Sequence, residues 1–187
     1  MASKGSGAPR TPFNKLCDIF VNVIERVLTD RALHGAPCDD LSISQWHGLL
    51  FIQRHEKCPI RELAEGLGVS HPAAVKLVER LARKGLIERQ EGATDRRVVE
   101  LSLSKAGRGC VDYVRDERAR GLERIMSQLE NDDADRLRRG LQAFVQAALA
   151  EQEAVGKLCL HCGIEHAGEC LVSHARDEHE AAVTANV

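Results

Sequence analysis

The residues best suited to chemistry in this chain are its cysteines and histidines, and several of them cluster near the C-terminus. Cys159-Leu160-His161-Cys162-Gly163-Ile164-Glu165-His166-Ala167-Gly168-Glu169-Cys170 has the spacing C-x2-C-x3-H-x3-C. Cys159 and Cys162, at i and i+3 around a tight turn, form a knuckle, and His166 and Cys170, at i and i+4, share one face of a following helix. Four soft or borderline donors are what a closed tetrahedral zinc site requires. The spacing therefore predicts a metal-binding tail over 157–179, with zinc as the metal and a structural or sensing role. The same donors also suit a [2Fe–2S] cluster, and a Cys159–Cys162 disulfide that releases the metal is a third reading. His174, one turn further along, and His161, inside the knuckle, are the alternatives to His166.

A second constellation lies between Ile60 and Leu103. Ile60 to Leu67 reads as a short amphipathic helix, Gly68-Val69 as a turn, and Ser70 as the N-cap of a helix from His71 to Lys84 that stops at Gly85. Leu86–Gln90 and Val98–Leu103 read as strands joined by Glu91-Gly92-Ala93-Thr94-Asp95-Arg96-Arg97. Helix, turn, helix and basic-tipped hairpin make a major-groove reader with a minor-groove finger. Val75, Val78 and Leu81 are expected to face the core, which leaves Ser70, His71, Ala73, Ala74, Lys76 and Arg80 for the groove. Arg96 and Arg97 are expected at the minor groove, with Asp95 bracing one of them.

The remaining titratable residues carry less. Cys17 lies on an apolar stripe and reads as an inert buried cysteine, while Cys38, Cys58 and Cys110 are isolated in sequence and receive no role. His47 is placed on the core side of its helix or in a pocket between domains, and its eight-residue distance from His55 disfavours a metal pair. Glu130, Asp132, Asp133 and Asp135 complement a helix dipole. There is no phosphate-binding glycine loop, nucleophile elbow or catalytic carboxylate pair, so no catalytic residue is assigned and the chain is not expected to be an enzyme.

Other elements must position these residues. Phe13, Leu16, Cys17, Phe20, Val23, Ile24 and Val27 recur at helical spacing, so a first helix spans 13–34. A second, capped by Ser42 or Ser44, carries Trp46, Leu49, Leu50 and Phe51. After the hairpin, Ser104 caps a long helix running towards Leu129, and a last helix bears Leu137, Leu141, Phe144, Val145 and Leu149. The predicted class is mainly α, a winged helix-turn-helix in the order α-α-α-α-β-β-α-α. A disordered arm occupies 1–12, the winged module 41–104, and dimerisation helices 13–34 and 105–153. The terminal apolar stripes exceed what one small module can bury, which points to a homodimer.

Composition agrees with this outline. In 187 residues, 43% hydrophobic and 29% charged, only 3% are aromatic, so the core must be aliphatic and mostly helical. A net charge of -2 means that any attraction for nucleic acid has to be local. Neither a signal peptide nor a run of membrane-spanning length is present, so a cytoplasmic location without membrane contact is expected.

Leu63-Ala64, Leu67-Gly68-Val69-Ser70, Val78-Glu79-Arg80-Leu81, Lys84-Gly85-Leu86-Ile87, Asp95-Arg96-Arg97 and Leu101-Ser102-Leu103-Ser104-Lys105-Ala106-Gly107 together resemble the signature of the MarR family. The resemblance covers about Phe13 to Glu153 and does not account for the cysteine tail. It implies a triangular homodimer on double-stranded DNA at a pseudo-palindromic operator, usually as a repressor released by a small-molecule effector or by oxidation. It also implies an effector pocket between the dimer helices and the winged module. Cys17 lies near the reactive cysteine of peroxide-sensing members, but Tyr113 is the one tyrosine, so the tyrosine partners of that branch are lacking. A metal-binding module that contacts another protein is the alternative function.

Overall fold

A computed structural model describes residues 11–38, 40–55, 57–92 and 98–149. The N-terminal stripe forms one continuous helical run in three parts: α1 (Phe13–Asn22), a π-helical stretch (Val23–Thr29) and α2 (Asp30–His34). In the π stretch, Thr29 Oγ1 donates to the Ile24 carbonyl five residues back, at 2.9 Å. Before this wide turn the apolar residues Phe13, Leu16, Ile19 and Phe20 are exposed, whereas after it Leu28, Ala32 and Leu33 are buried.

Helix α3 (Ile43–Arg54) begins at Ser42, not Ser44. Ser42 Oγ accepts from the Gln45 N–H at 3.2 Å, and Gln45 Oε1 accepts from the Ser42 N–H at 3.1 Å. This reciprocal capping box satisfies two amide donors that a helix start leaves open. Then come β1 (Cys58–Pro59), α4 (Ile60–Leu67), α5 (His71–Arg83), β2 (Ile87–Glu91), β3 (Val99–Leu103), α6 (Lys105–Met126) and α7 (Asn131–Leu149). The order is the expected four helices, two-stranded wing and two helices, with β1 added as a third strand in the antiparallel order β1-β3-β2. The register pairs Ile87 with Leu103 and Glu91 with Val99.

Trp46, Leu49, Phe51 and Ile52 of α3 form the centre of the core with Leu63, Val78, Leu81, Leu101, Val111 and Val114. Burial of these side chains at roughly 1.5–3 kcal/mol each holds the winged module and the first half of α6 together. Two glycines allow the closest approaches. A Cβ at Gly66 would overlap the Phe51 ring, and one at Gly107 would overlap the Leu86 carbonyl oxygen. On β3, Leu101 and Leu103 are buried and Val99 is exposed.

Cys38 and Cys110, which are far apart in sequence, are joined by a disulfide with a Cα–Cα distance of 6.1 Å. Both half-cystines are buried. Helix α7 is not packed broadly against any other described element, and Leu141 and Phe144 on it are exposed. No helix among the described residues is long and apolar enough to cross a membrane.

Candidate nucleic-acid interface

The helix-turn-helix is built by local chemistry. Helix α4 ends at Gly68, whose φ of +64° is the left-handed conformation that terminates a helix at least cost in glycine. The Val69 N–H closes the turn on the Ala64 carbonyl at 3.0 Å. Ser70 Oγ then accepts from the Ala73 N–H at 3.4 Å, and Pro72 sits in the first turn, where its missing N–H costs nothing. At the far end Gly85, at φ +67°, turns the chain into the wing.

Ser70, the N-cap of α5, and His71, Ala73, Lys76 and Arg80 on the helix are exposed to solvent. Ala74 is a correction. It is fully buried with Val78 and Leu81, at positions i, i+4 and i+7 of the inner face, and cannot face a groove. Val75, expected in the core, lies at the edge and is half-buried. The small side chain of Ala74 gave a weak hydrophobic signal, which shifted the predicted face by one residue.

Two exposed cations were missed. Arg83 continues the row from Lys76 and Arg80 at i+4 and i+7, and Arg89 projects from β2. The i, i+4, i+7 row was readable in the sequence. Lys76, Arg80 and Arg83 have no ion-pair partner among the described residues, so their charge is available to a ligand. The Gly92 N–H donates to the Val98 carbonyl at 2.8 Å at the base of the wing loop. Asp95, Arg96 and Arg97 lie outside the described residues.

A cavity of about 250 Å³ opens between the π stretch, α3 and α6, lined by Ile24, Thr29, Ile43, Trp46 and Leu50 with Glu25, His47 and Arg118. His47 is exposed and is not on the core side of α3. Arg118 is half-buried, and its Nε has no hydrogen-bond partner among the described residues. Burial lowers its guanidinium pKa from the usual arginine value.

Beside α4, His55 stacks on Phe51 with ring centroids 4.2 Å apart, and its Nδ1 lies 3.2 Å from Glu62 Oε1. Burial lowers the His55 pKa, opposed by the Glu62 carboxylate and reinforced by Arg54. Burial, with the charge of Glu62 adding to it, pushes the Cys58 thiol up to about 12. Cys17 is half-buried rather than enclosed.

The sequence model of the MarR family matches residues 39–98, which span α3, the helix-turn-helix and the first wing strand. Among curated proteins, the uncharacterized HTH-type transcriptional regulator YwhA of Bacillus subtilis (strain 168) is 28% identical over 85 residues. That match takes in 46% of this chain, and the chain spans 61% of the length of that relative. Among solved structures, Streptococcus pneumoniae FabT in complex with DNA superposes with a TM-score of 0.60 at 24% identity, covering 72% of this chain and 96% of FabT. RV1404 from Mycobacterium tuberculosis gives 0.62 at 29% identity, covering 75% of this chain and 97% of its own. The chain has their winged helix-turn-helix fold.

The same comparisons correct the expected metal centre. Cys159, Cys162, His166 and Cys170, with His161 and His174, lie outside the described residues. No group of three or more His, Cys, Asp or Glu that could hold a metal occurs among the described residues. FabT and RV1404 are almost wholly covered by under four-fifths of this chain, so their fold is complete without a cysteine tail. The metal-binding tail, its zinc and [2Fe–2S] assignments, and the metal-binding interaction module are therefore dropped. The physical reason is that spacing counts donors, whereas a tetrahedral site needs them to converge on one point.

Proposed function

We propose that this chain is a dimeric, sequence-specific, DNA-binding transcriptional regulator of the MarR family, acting as a repressor in the cytoplasm, and not an enzyme. The observation that carries the reading is the exposed face of α5. It presents Ser70, His71, Ala73, Lys76 and Arg80 on a rigid helix whose opposite side is buried in the core. An α-helix fits the B-DNA major groove, where side chains of these types reach base edges and phosphates. Arg96 and Arg97 at the wing tip, oriented by Asp95, enter the adjacent minor groove in this reading, and Arg83 and Arg89 add phosphate contacts. The family match over 39–98 and the likeness to a fold solved on DNA both support it.

The dimer in this reading is formed by the helical run over 13–34 and by α6 and α7. Exposed Phe13, Leu16, Leu122, Leu141 and Phe144 support it, because large apolar side chains left uncovered on these helices favour a second copy. Two copies would read a pseudo-palindromic operator with half-sites about one helical turn apart. The cavity at Arg118 supports a small-molecule effector, since Ile24, Ile43, Trp46 and Leu50 offer apolar walls and Glu25, His47 and Arg118 offer polar contacts.

Selection of bound duplexes from a random-sequence pool by the full chain tests the function. An enriched inverted repeat is the expected result. Retention of duplex without any enriched sequence would refute sequence-specific regulation.

A further inference from the structure

The Cys38–Cys110 disulfide is the best-connected feature that the DNA-binding reading leaves unused. Cys38 lies in the loop between α2 and α3, and Cys110 lies in the second turn of α6. The loop is tied on its other side as well, since Lys84 Nζ donates to the Asp40 carbonyl at 2.8 Å. Lys84 is the C-cap of α5. Asp40 itself adopts φ +37°, in the left-handed region that Asp enters more readily than most non-glycine residues.

The circuit closes through α6. Ser104, the N-cap of α6, donates its hydroxyl to the Gly85 carbonyl at 2.6 Å, and its N–H donates to the Leu86 carbonyl at 3.1 Å. Loop, disulfide, α6 and the exit of α5 thus form one ring of covalent and hydrogen-bonded links. The sulfur–sulfur bond is the link in that ring that redox chemistry can open. Disulfides in proteins that work beside DNA in reducing surroundings are mostly transient and redox-sensing, and here the inference rests on the DNA-binding reading.

We propose that Cys38–Cys110 is a reversible thiol–disulfide site whose state sets the order of the C-terminal end of α5. Opening proceeds by thiol exchange. A thiolate of a low-molecular-weight thiol attacks Cys38 Sγ, the more exposed of the two at 8% against 1%. Cys110 leaves as thiolate and takes a proton. A second thiolate then attacks the external sulfur of the mixed disulfide and releases Cys38. The protein disulfide and two external thiols become two protein thiols and one external disulfide, with two electrons transferred. Closure is the same sequence in reverse, with the external disulfide as oxidant. The open ring leaves the loop held to α5 by Lys84 without its anchor on α6.

The test equilibrates the full chain in reduced or oxidised glutathione, maps the two cysteines by alkylation and mass spectrometry, and follows amide hydrogen exchange. The expected result is reversible interconversion, with protection over 80–86 falling in the open form by at least about tenfold more than over the core residues 46–52, whose fall reports the loss of global stability. Lys84→Met should leave the interconversion intact and remove the excess fall at 80–86. A bridge that stays closed in reduced glutathione, or a fall over 80–86 no larger than that over 46–52, would overturn the proposal and leave a structural cross-link. Binding of both forms to a fluorescent 30-base-pair duplex is measured in parallel. If neither form binds while the exchange difference persists, the DNA-binding reading fails and the switch stands.

Discussion

Replacing Lys76, Arg80 and Arg83 with glutamine tests whether the row along α5 neutralises phosphates. All three are exposed, and none has an ion-pair partner among the described residues, so the substitutions should change stability by less than about 0.5 kcal/mol. The effect on DNA is large by contrast. Each phosphate neutralised on B-DNA contributes about −0.9 to the slope of log K against log salt. A fourfold rise in salt therefore weakens binding about 3.5-fold per contact. Three cations in each of two copies make about six contacts, a slope near −5 and a loss of about 10³-fold between 50 and 200 mM salt. The triple variant should lose most of that slope. The operator need not be known, because non-specific duplex binding is governed by the same electrostatics. Fluorescence anisotropy of an arbitrary labelled duplex across a salt series gives the slope, and circular dichroism verifies the fold. An unchanged slope in a folded triple variant would refute the assignment of this face to DNA.

Four further outcomes follow from the packing. Phe144→Asp, placing a charge on an exposed apolar position of α7, should halve the mass measured by light scattering; an unchanged dimer mass would move the interface elsewhere. Gly107→Ala forces a Cβ onto the Leu86 carbonyl and should cost about 1–3 kcal/mol in urea unfolding, whereas Gly109→Ala, with open space around it, should not destabilise. Reducing Cys38–Cys110, which closes a loop of sequence separation 72, should lower stability by about 4 kcal/mol on the chain-entropy estimate, read as a shift of the urea midpoint with and without a thiol reductant. The His55 pKa is lowered in the folded state, so the unfolded chain binds the proton first. Its contribution to stability is full above about pH 6.5 and is lost as pH falls through the lowered folded value. His55→Gln should flatten the fall in thermal midpoint over that window, and an equal slope in variant and parent would exclude the assignment.

The fold was legible because its signals are local. Ser70 and Ser104 cap helices from their own positions, Gly68 and Gly85 mark turns, and the alternation around Leu101 and Leu103 marks a strand. What sequence failed to show depends on distance or on phase. Cys38 and Cys110 are brought together only when the core assembles, so nothing in their own surroundings announces the bond. Ala74 was assigned outward because a methyl group carries little hydrophobic signal, although Val78 and Leu81 fix the inner face. The cysteine tail misled in the opposite direction, since a suggestive local spacing implies no convergence of donors in space.

The π-helical stretch at Val23–Thr29 gives the N-terminal helix two addresses. A π turn amounts to one residue inserted into an α-helix, and one residue corresponds to about 100° of rotation at 3.6 residues per turn. The apolar side chains ahead of the stretch are thereby aimed away from the domain, while Leu28, Ala32 and Leu33 behind it stay fixed in the chain's own interior. Removing one residue there would leave composition and hydrophobicity almost untouched. It would swing the first three turns by about a quarter of a circle relative to the winged module. In the proposed dimer, the relative orientation of the two copies, and so the spacing at which they would meet a duplex, is set in this helix by the length of the chain rather than by the identity of any contact.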